Sequence, residues 1–351
     1  LETLDRLDPK TGRVAHFKHF NDPFNYSVGT NDFSIFEDSR ENLWVGTKDG
    51  LNLFDRSRGI FKRYRSQKGA ERSISSDRIK CIYEDHLHRL WIGTQNGLNL
   101  YDFGTDSFKR FFPGLGDRKS GRNVINLMTE TSKGALWLAT DDGVGEYSPF
   151  KNSFTLYNRH LSQNQSFLSN TVTSIVEDRN ENLWIGTLQG LVKLDNRDPK
   201  FHKYSLDKKN DPLFGNNLVA SVFDNGEDML WVGTWGSGLY KMNRNDLSIV
   251  HFNYKNTNGL LNDFVHAIYQ TSWGDIIIGT RDGVVVYNAK NNRMVDFFSY
   301  YHLPFRSIFQ GNRVYQIHED SMGNIWFATS FGLFRFNGQR VERVDKQGKD
   351  A

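Results

Sequence analysis

One short phrase recurs seven times in these 351 residues: a bulky pair that usually contains Trp, then Gly-Thr or Ala-Thr, two or three variable residues, Gly and an aliphatic residue. The copies begin LWVGTKDGL at Leu43, LWIGTQNGL at Leu90, LWLATDDGV at Leu136, LWIGTLQGL at Leu183, LWVGTWGSGL at Leu230, IIIGTRDGV at Ile276 and IWFATSFGL at Ile325. Trp44, Trp91, Trp137, Trp184, Trp231, Ile277 and Trp326 hold equivalent places, so the successive spacings are 47, 46, 47, 47, 46 and 49 residues. A period in this range, written in strand-forming residues, describes a repeat architecture in which each unit buries its faces against its neighbours.

The fourth unit shows what one repeat builds. Thr171–Val176 is a β-branched run, Leu183–Thr187 is apolar at nearly every position, Leu191–Leu194 follows a Gly turn, and Phe201–Tyr204 mixes aromatics with charge. Four strands with hairpin-length connections make one antiparallel sheet. The apolar second strand requires cover on both faces, whereas the mixed fourth strand suits a wet outer edge. A sheet sandwiched at one edge and solvated at the other is a propeller blade. The expected fold is therefore all-β, a seven-bladed β-propeller of four-stranded antiparallel blades, forming one domain over residues 1–351. The recurring Trp is read as filler between twisted neighbouring blades, and the Gly after it as a point of close backbone approach or a bulge.

Ring closure has two readings. Residues 1–19 match the second half of a unit, yet the last unit carries its own candidates at Leu333–Phe336 and Arg340–Arg343. The N-terminal half-blade either completes the last blade or is left over from a preceding one. Because the chain begins mid-pattern, it reads as a piece of something longer.

Composition narrows the partners. Lys and Arg number 44 against 41 Asp and Glu, spread through every repeat without a basic arm, which argues against nucleic acid. Cys81 is the single cysteine, so no intrachain disulfide and no thiolate zinc site can form; in the pattern Ile79, Cys81, Tyr83 it reads as a small buried hydrophobe. No apolar stretch is long enough to cross a bilayer, and membrane attachment would use segments outside this sequence.

The phrase Glu-Asp-x-x-x-Asn-Leu-Trp-(Ile/Val)-Gly-Thr-x-x-Gly-Leu, present at Glu37–Leu51 and Glu177–Leu191, resembles the two-component regulator propeller repeat. Departures are local: Glu130-Thr131, Asp224-Asn225 and Gln270-Thr271 replace the acidic pair, Ile277 replaces Trp, and the fifth unit is lengthened at Trp235–Gly238. The resemblance implies the extracytoplasmic, periplasmic sensing region of a bacterial membrane receptor. Its cytoplasmic output would be a histidine kinase or a diguanylate cyclase. It also implies an oligosaccharide or other small molecule as ligand, with other domains of the receptor or a second copy of the chain as further partners.

Chemistry is harder to find than architecture. The acidic pairs at Glu37, Glu84, Glu177 and Glu319 suggest the two carboxylates of glycoside hydrolysis. Each pair sits on a different spoke, so acceptance of backbone N–H groups within its own turn is the favoured reading. His86 and His88 alternate but lie in a polar turn with no third metal ligand nearby. No nucleophile elbow or phosphate loop is present. The expectation is a non-enzymatic fragment with no metal and no cofactor. A propeller lyase or hydrolase, or a purely structural propeller, stands as the rival.

Binding would use the loops that vary while the frame repeats. The turns between second and third strands carry Lys48, Gln95, Asp141, Asp142, Gln189, Trp235, Arg281, Asp282 and Phe331 as candidate ligand contacts. Trp235, in a Gly-rich turn, is either a stacking platform or packing for a neighbouring loop. Tyr300 and Tyr301 belong to an aromatic connection, Phe298–Arg306, read as a ligand lid, a contact to another domain, or ordinary packing.

Overall fold

The computed structural model describes residues 3–7, 14–18, 34–55, 57–58, 60–112, 123–148, 153–158, 171–197, 200–204, 218–256, 259–304, 309–320 and 322–343, with side chains from residue 34 onward. The chain is a seven-bladed β-propeller in which every blade is a four-stranded antiparallel sheet with its strands paired in chain order. A separate two-stranded sheet, β1 (Thr3–Leu7) with β2 (Val14–Lys18), precedes the blades. The connection between them, residues 8–13, lies outside the described residues.

The first blade contains β3 (Ser34–Glu37), β4 (Leu43–Thr47), β5 (Gly50–Asp55) and β6 (Ile60–Tyr64). The second contains β7 (Ile79–Glu84), β8 (Leu90–Thr94), β9 (Gly97–Asp102) and β10 (Ser107–Phe111). The third contains β11 (Ile125–Glu130), β12 (Leu136–Thr140), β13 (Gly143–Ser148) and β14 (Ser153–Tyr157). The fourth runs from β15 (Val172–Glu177) through β16 (Leu183–Thr187) and β17 (Gly190–Leu194) to β18 (Phe201–Tyr204). The fifth holds β19 (Val219–Asp224), β20 (Met229–Thr234), β21 (Leu239–Asn243) and β22 (Ile249–Phe252). The sixth holds β23 (Val265–Gln270), β24 (Ile276–Thr280), β25 (Gly283–Asn288) and β26 (Arg293–Asp296), followed by the single-turn helix α1 (Phe297–Tyr300). The seventh has β27 (Val314–Glu319), β28 (Ile325–Thr329), β29 (Gly332–Phe336) and β30 (Val341–Arg343), so it owns four strands without help from β1 and β2.

Two compact units divide the chain. One comprises Leu1–Gln165, Asn170–Ile175 and Gln347–Ala351 and contains the first three blades; the other comprises Ser166–Ser169 and Val176–Lys346 and contains the last three. The division passes through β15, and β16 to β18 belong to the second unit.

Within each unit the repeat phrase has a physical account, residue by residue. The second strands β8, β16 and β24 are buried at all five positions, as sandwiched strands must be. Trp44 meets Tyr101 of the next blade edge-on at 4.9 Å between ring centroids, Trp91 meets Tyr147 at 5.0 Å and Trp231 meets Tyr287 at 4.8 Å, so the indole does fill the gap between blades. The indole nitrogen is also satisfied within its own blade: Trp44, Trp91, Trp184 and Trp326 donate to Asp38, Asp85, Asp178 and Asp320 at 2.7–2.8 Å. The Thr hydroxyl closes the following turn, as when Thr94 donates to the Gly97 carbonyl at 2.8 Å and accepts the Asn96 N–H at 3.1 Å. Gly97 opens the third strand at φ 113°, a conformation that favours glycine. Gly93 is required for another reason: a Cβ there would lie 2.5 Å from the Cys81 sulfur and 2.9 Å from Ile125 of the next blade.

The acidic pair splits its duties. Asp85 accepts the Leu87 and Arg89 N–H groups at 3.1 and 2.9 Å in its own turn, as expected for a turn carboxylate. Its neighbour Glu84 reaches out of the turn and accepts from Ser39 of the preceding blade. Glu130 does the same for His86, and Glu319 for Ser272. The paired carboxylates are thus one internal brace and one blade-to-blade tie.

Candidate functional site

The turns between second and third strands gather at one end of each sheet together with the entry to the first strand. The backbone causes this. The first turn residue donates to the carbonyl just before its own first strand: Gln95 to Arg78 at 2.9 Å, Trp235 to Leu218 at 2.9 Å, Arg281 to Phe264 at 3.0 Å and Ser330 to Arg313 at 2.9 Å. The glycine that opens the third strand then donates to the entry of the next blade, as Gly97 does to Asn123 at 2.7 Å and Gly238 to Asp263 at 2.8 Å.

A β-bulge follows at once. The register between first and second strands shifts after Ile79, Ile125, Val219, Val265 and Val314, leaving Lys80, Asn126, Ala220, His266 and Tyr315 as the extra residues. A bulged residue is unpaired in the ladder and its side chain is re-aimed, which is why bulges recur beside binding sites.

In the first unit these positions are polar, and three pairs of side chains satisfy one another. Arg78 donates to Gln95 at 3.1 Å, Asn126 to Asp141 at 2.8 Å, and Arg63 to Asp49 at 3.0 Å. Lys48 is half-buried in its turn and Asp142 is buried, its N–H held by Thr140 at 3.0 Å. Gln189, in the fourth blade, is exposed.

In the last three blades the same end is aromatic and cationic. Trp235 is 48% exposed, forms an isolated bridge with Phe264, and lies 6.4 Å from the His266 ring. His266 lies 6.2 Å from Tyr315, itself 52% exposed. The Arg281 guanidinium sits 5.4 Å over Phe264 and that of Arg313 5.8 Å over Tyr315. Phe331, 55% exposed, occupies the turn beside Arg313; its N–H and the Ser330 hydroxyl both donate to the Asn312 side-chain oxygen. Among the described residues, His266 Nε2 is buried without a hydrogen-bond partner. Burial, and then the positive fields of Arg313 and Arg281, hold this imidazole below its usual pKa, so it is neutral at physiological pH.

Trp235, Arg281 and Phe331, named from the sequence, therefore fall at one end of consecutive blades. Asp282 is at the same end and accepts from Asn262 at 2.7 Å. Phe264, His266, Arg313 and Tyr315 were not legible as candidates, because a residue entering a strand looks like any other until the bulge re-aims it.

Tyr300 and Tyr301 do not join this group. Their hydroxyls donate to Asp275 at 2.9 and 2.6 Å, in the turn at the other end of the sixth sheet, where Trp273 Nε1 also donates at 2.9 Å. Phe297, Phe298 and Phe309 of the same connection are buried in the core of the sixth and seventh blades. Phe305 and Arg306 lie outside the described residues. His86 and His88 face different carboxylates, Glu130 and Glu84. Among the described residues no group of three His, Cys, Asp or Glu could hold a metal ion. A groove of about 470 Å³ follows β10 between Arg72 and Phe112, but its Arg110 is held by the Ser73 and Ala70 carbonyls at 2.5 and 2.7 Å.

Comparison with known proteins fits this construction. The chain is similar in structure to the extracellular domain of a protein described as a hybrid two component system from B. thetaiotaomicron, with a TM-score of 0.64 and 24% identity over 88% of this chain and 40% of that one. A second extracellular domain from the same organism gives a TM-score of 0.51 at 19% identity, over 97% of this chain and 46% of that one. A catalytically inactive virginiamycin B lyase from Staphylococcus aureus, solved with quinupristin, gives 0.57 at 13% identity, over 93% and 96%. The chain thus spans less than half the length of the two extracellular domains, and at these identities the likeness is one of fold. No curated protein sequence matches. Among the described residues no helix is long and apolar enough to cross a membrane. Residues 73–96, 166–189 and 308–331 match the model of the two component regulator propeller family, so three segments of this β-propeller carry that family's repeat.

Proposed function

We propose that this chain is a ligand-sensing propeller from the extracytoplasmic, periplasmic region of a bacterial two-component receptor. Its ligand, an oligosaccharide, sits on the loop end of the last three blades. The observation that carries this reading is the exposed aromatic group Trp235, Phe264 and Tyr315 around His266, at the end of the sheets where the variable turns collect. Sugar rings bury their C–H faces on such aromatic surfaces, and half-exposed rings offer area that the fold itself does not use. Repeats of the two component regulator propeller family and the likeness to extracellular sensor domains support the extracytoplasmic setting. Binding would shift the receptor between arrangements by its differential affinity for them.

A catalytic reading draws no support from the acidic pairs. Their aspartates hold indole and backbone N–H groups, and three of the glutamate-position residues tie neighbouring blades.

The test is a thermal-shift screen of the purified chain against neutral and acidic oligosaccharides. A ligand at a hundredfold excess over its dissociation constant stabilises the native state by about 2.7 kcal/mol. A shift that disappears in Trp235→Ala supports the reading; a shift that persists there, or none from a well-folded protein across the panel, overturns it.

A further inference from the structure

The loop end of the last three blades differs from its counterpart in the first unit by the state of its arginines. In the first three blades the arginines near this end are engaged: Arg78 by Gln95, and Arg63 and Arg65 by Asp49. Arg281 and Arg313 have no ion pair and no side-chain hydrogen bond among the described residues; each guanidinium only overlies a ring of its own blade. Two carboxylates adjoin these elements in sequence, and each accepts from another group: Asp263 from the Tyr254 N–H at 2.6 Å and Asp282 from Asn262 at 2.7 Å. His266 lies within the field of both arginines and carries a buried, unpartnered Nε2. Two guanidiniums offer a fork of donors each, matched in geometry to a carboxylate.

We propose that this site takes a ligand with a carboxylate beside a ring face, a uronic-acid sugar being the simplest such chemistry, the carboxylate held by Arg281 and Arg313 and the ring laid on Trp235 and Tyr315. The proposal rests on the sensing reading above and specifies its ligand class. A neutral His266 suits this arrangement, because a third cation is not needed and its ring lies within 6.4 Å of Trp235 and 6.2 Å of Tyr315.

The experiment is isothermal titration of the purified chain with an acidic set, tri-galacturonate and a hyaluronan tetrasaccharide, and a neutral set, galactotriose and cellotriose. Wild type, Trp235→Ala and the double variant Arg281→Gln/Arg313→Gln are compared. At least one acidic oligosaccharide is expected to bind about tenfold or more tighter than every neutral one. The double variant, with an unchanged melting temperature, is expected to lose that preference, and raised salt to weaken it. A neutral oligosaccharide that binds as tightly and depends on Trp235 but not on the arginines would overturn the carboxylate proposal and leave the sensing reading standing. Failure of both acidic ligands to bind overturns the proposal, as does an acidic preference that survives in the double variant.

Discussion

Glu84, at the end of β7, accepts both the backbone N–H and the hydroxyl of Ser39, each at 2.7 Å, from the preceding blade. The two residues are 45 positions apart, nearly one repeat. Glu130 and Glu319 reach the preceding blade in the same way, so at these three places the spacing of the repeat is a mechanical constraint as well as a pattern, because it fixes one turn against the next.

That tie is measurable. Glu84→Ala removes two hydrogen bonds between blades and is expected to cost about 1–2 kcal/mol in chemical denaturation. Glu84→Gln, which keeps one acceptor oxygen, should cost less. Equal stability of Glu84→Ala and wild type would mean that the contact contributes nothing in solution.

The indole bonds give a matched comparison. Trp91 donates to buried Asp85 at 2.7 Å, whereas Trp231 Nε1 is buried without a partner among the described residues, Asn225 standing where four other units have Asp. Trp91→Phe leaves a buried carboxylate short of a donor, while Trp231→Phe removes an unsatisfied one. Both lose similar apolar volume. Trp91→Phe should therefore be the more destabilising, by about 1–3 kcal/mol. Denaturation midpoints of the two single variants decide this, and the reverse order would refute it.

His266 predicts a pH dependence. Burial, followed by Arg313 and Arg281, lowers its pKa in the folded state, so the unfolded chain binds the proton more readily. Its contribution is complete above the unfolded value of about 6.5 and is lost as pH falls from there through the lower folded value. Stability of wild type relative to His266→Gln should therefore decline between pH 7.5 and pH 5.5. Parallel pH profiles for the two proteins would contradict the assignment.

Tyr301 separates folding from binding. Its hydroxyl donates to Asp275 at 2.6 Å, away from the loop end. Tyr301→Phe should destabilise the protein by about 1–2 kcal/mol while leaving oligosaccharide affinity unchanged. Trp235→Ala should do the opposite, with a stability change within about 0.5 kcal/mol, as is usual for exposed sites. A loss of affinity in Tyr301→Phe would return the α1 connection to the binding surface.

Much of the frame was legible because its causes are local and repeated. Trp-Gly-Thr marks a strand buried on both faces, the Thr hydroxyl and a left-handed Gly close the next turn, and an Asp six positions before Trp44, Trp91, Trp184 and Trp326 supplies the indole's acceptor. Such contacts fall within one blade, so a single chain segment specifies them, and where Trp gives way to Ile277 the acidic acceptor gives way to Thr271. Trp235, Arg281 and Phe331 could be named for the same reason, since they occupy the variable places in a fixed turn.

The tertiary structure alone decided what those residues face. Trp235, His266 and Tyr315 come from three blades and meet because a bulge after Val265 and another after Val314 re-aim side chains that strict alternation would place differently. Tyr300 and Tyr301 stand in an equally aromatic stretch, yet a carboxylate at the opposite end of the sheet takes both hydroxyls. Strand period and turn chemistry are properties of neighbouring residues and can be read along the chain. The direction of a bulged side chain, and the partner that captures a hydroxyl, depend on atoms one or more repeats away and exist only once the blades are stacked.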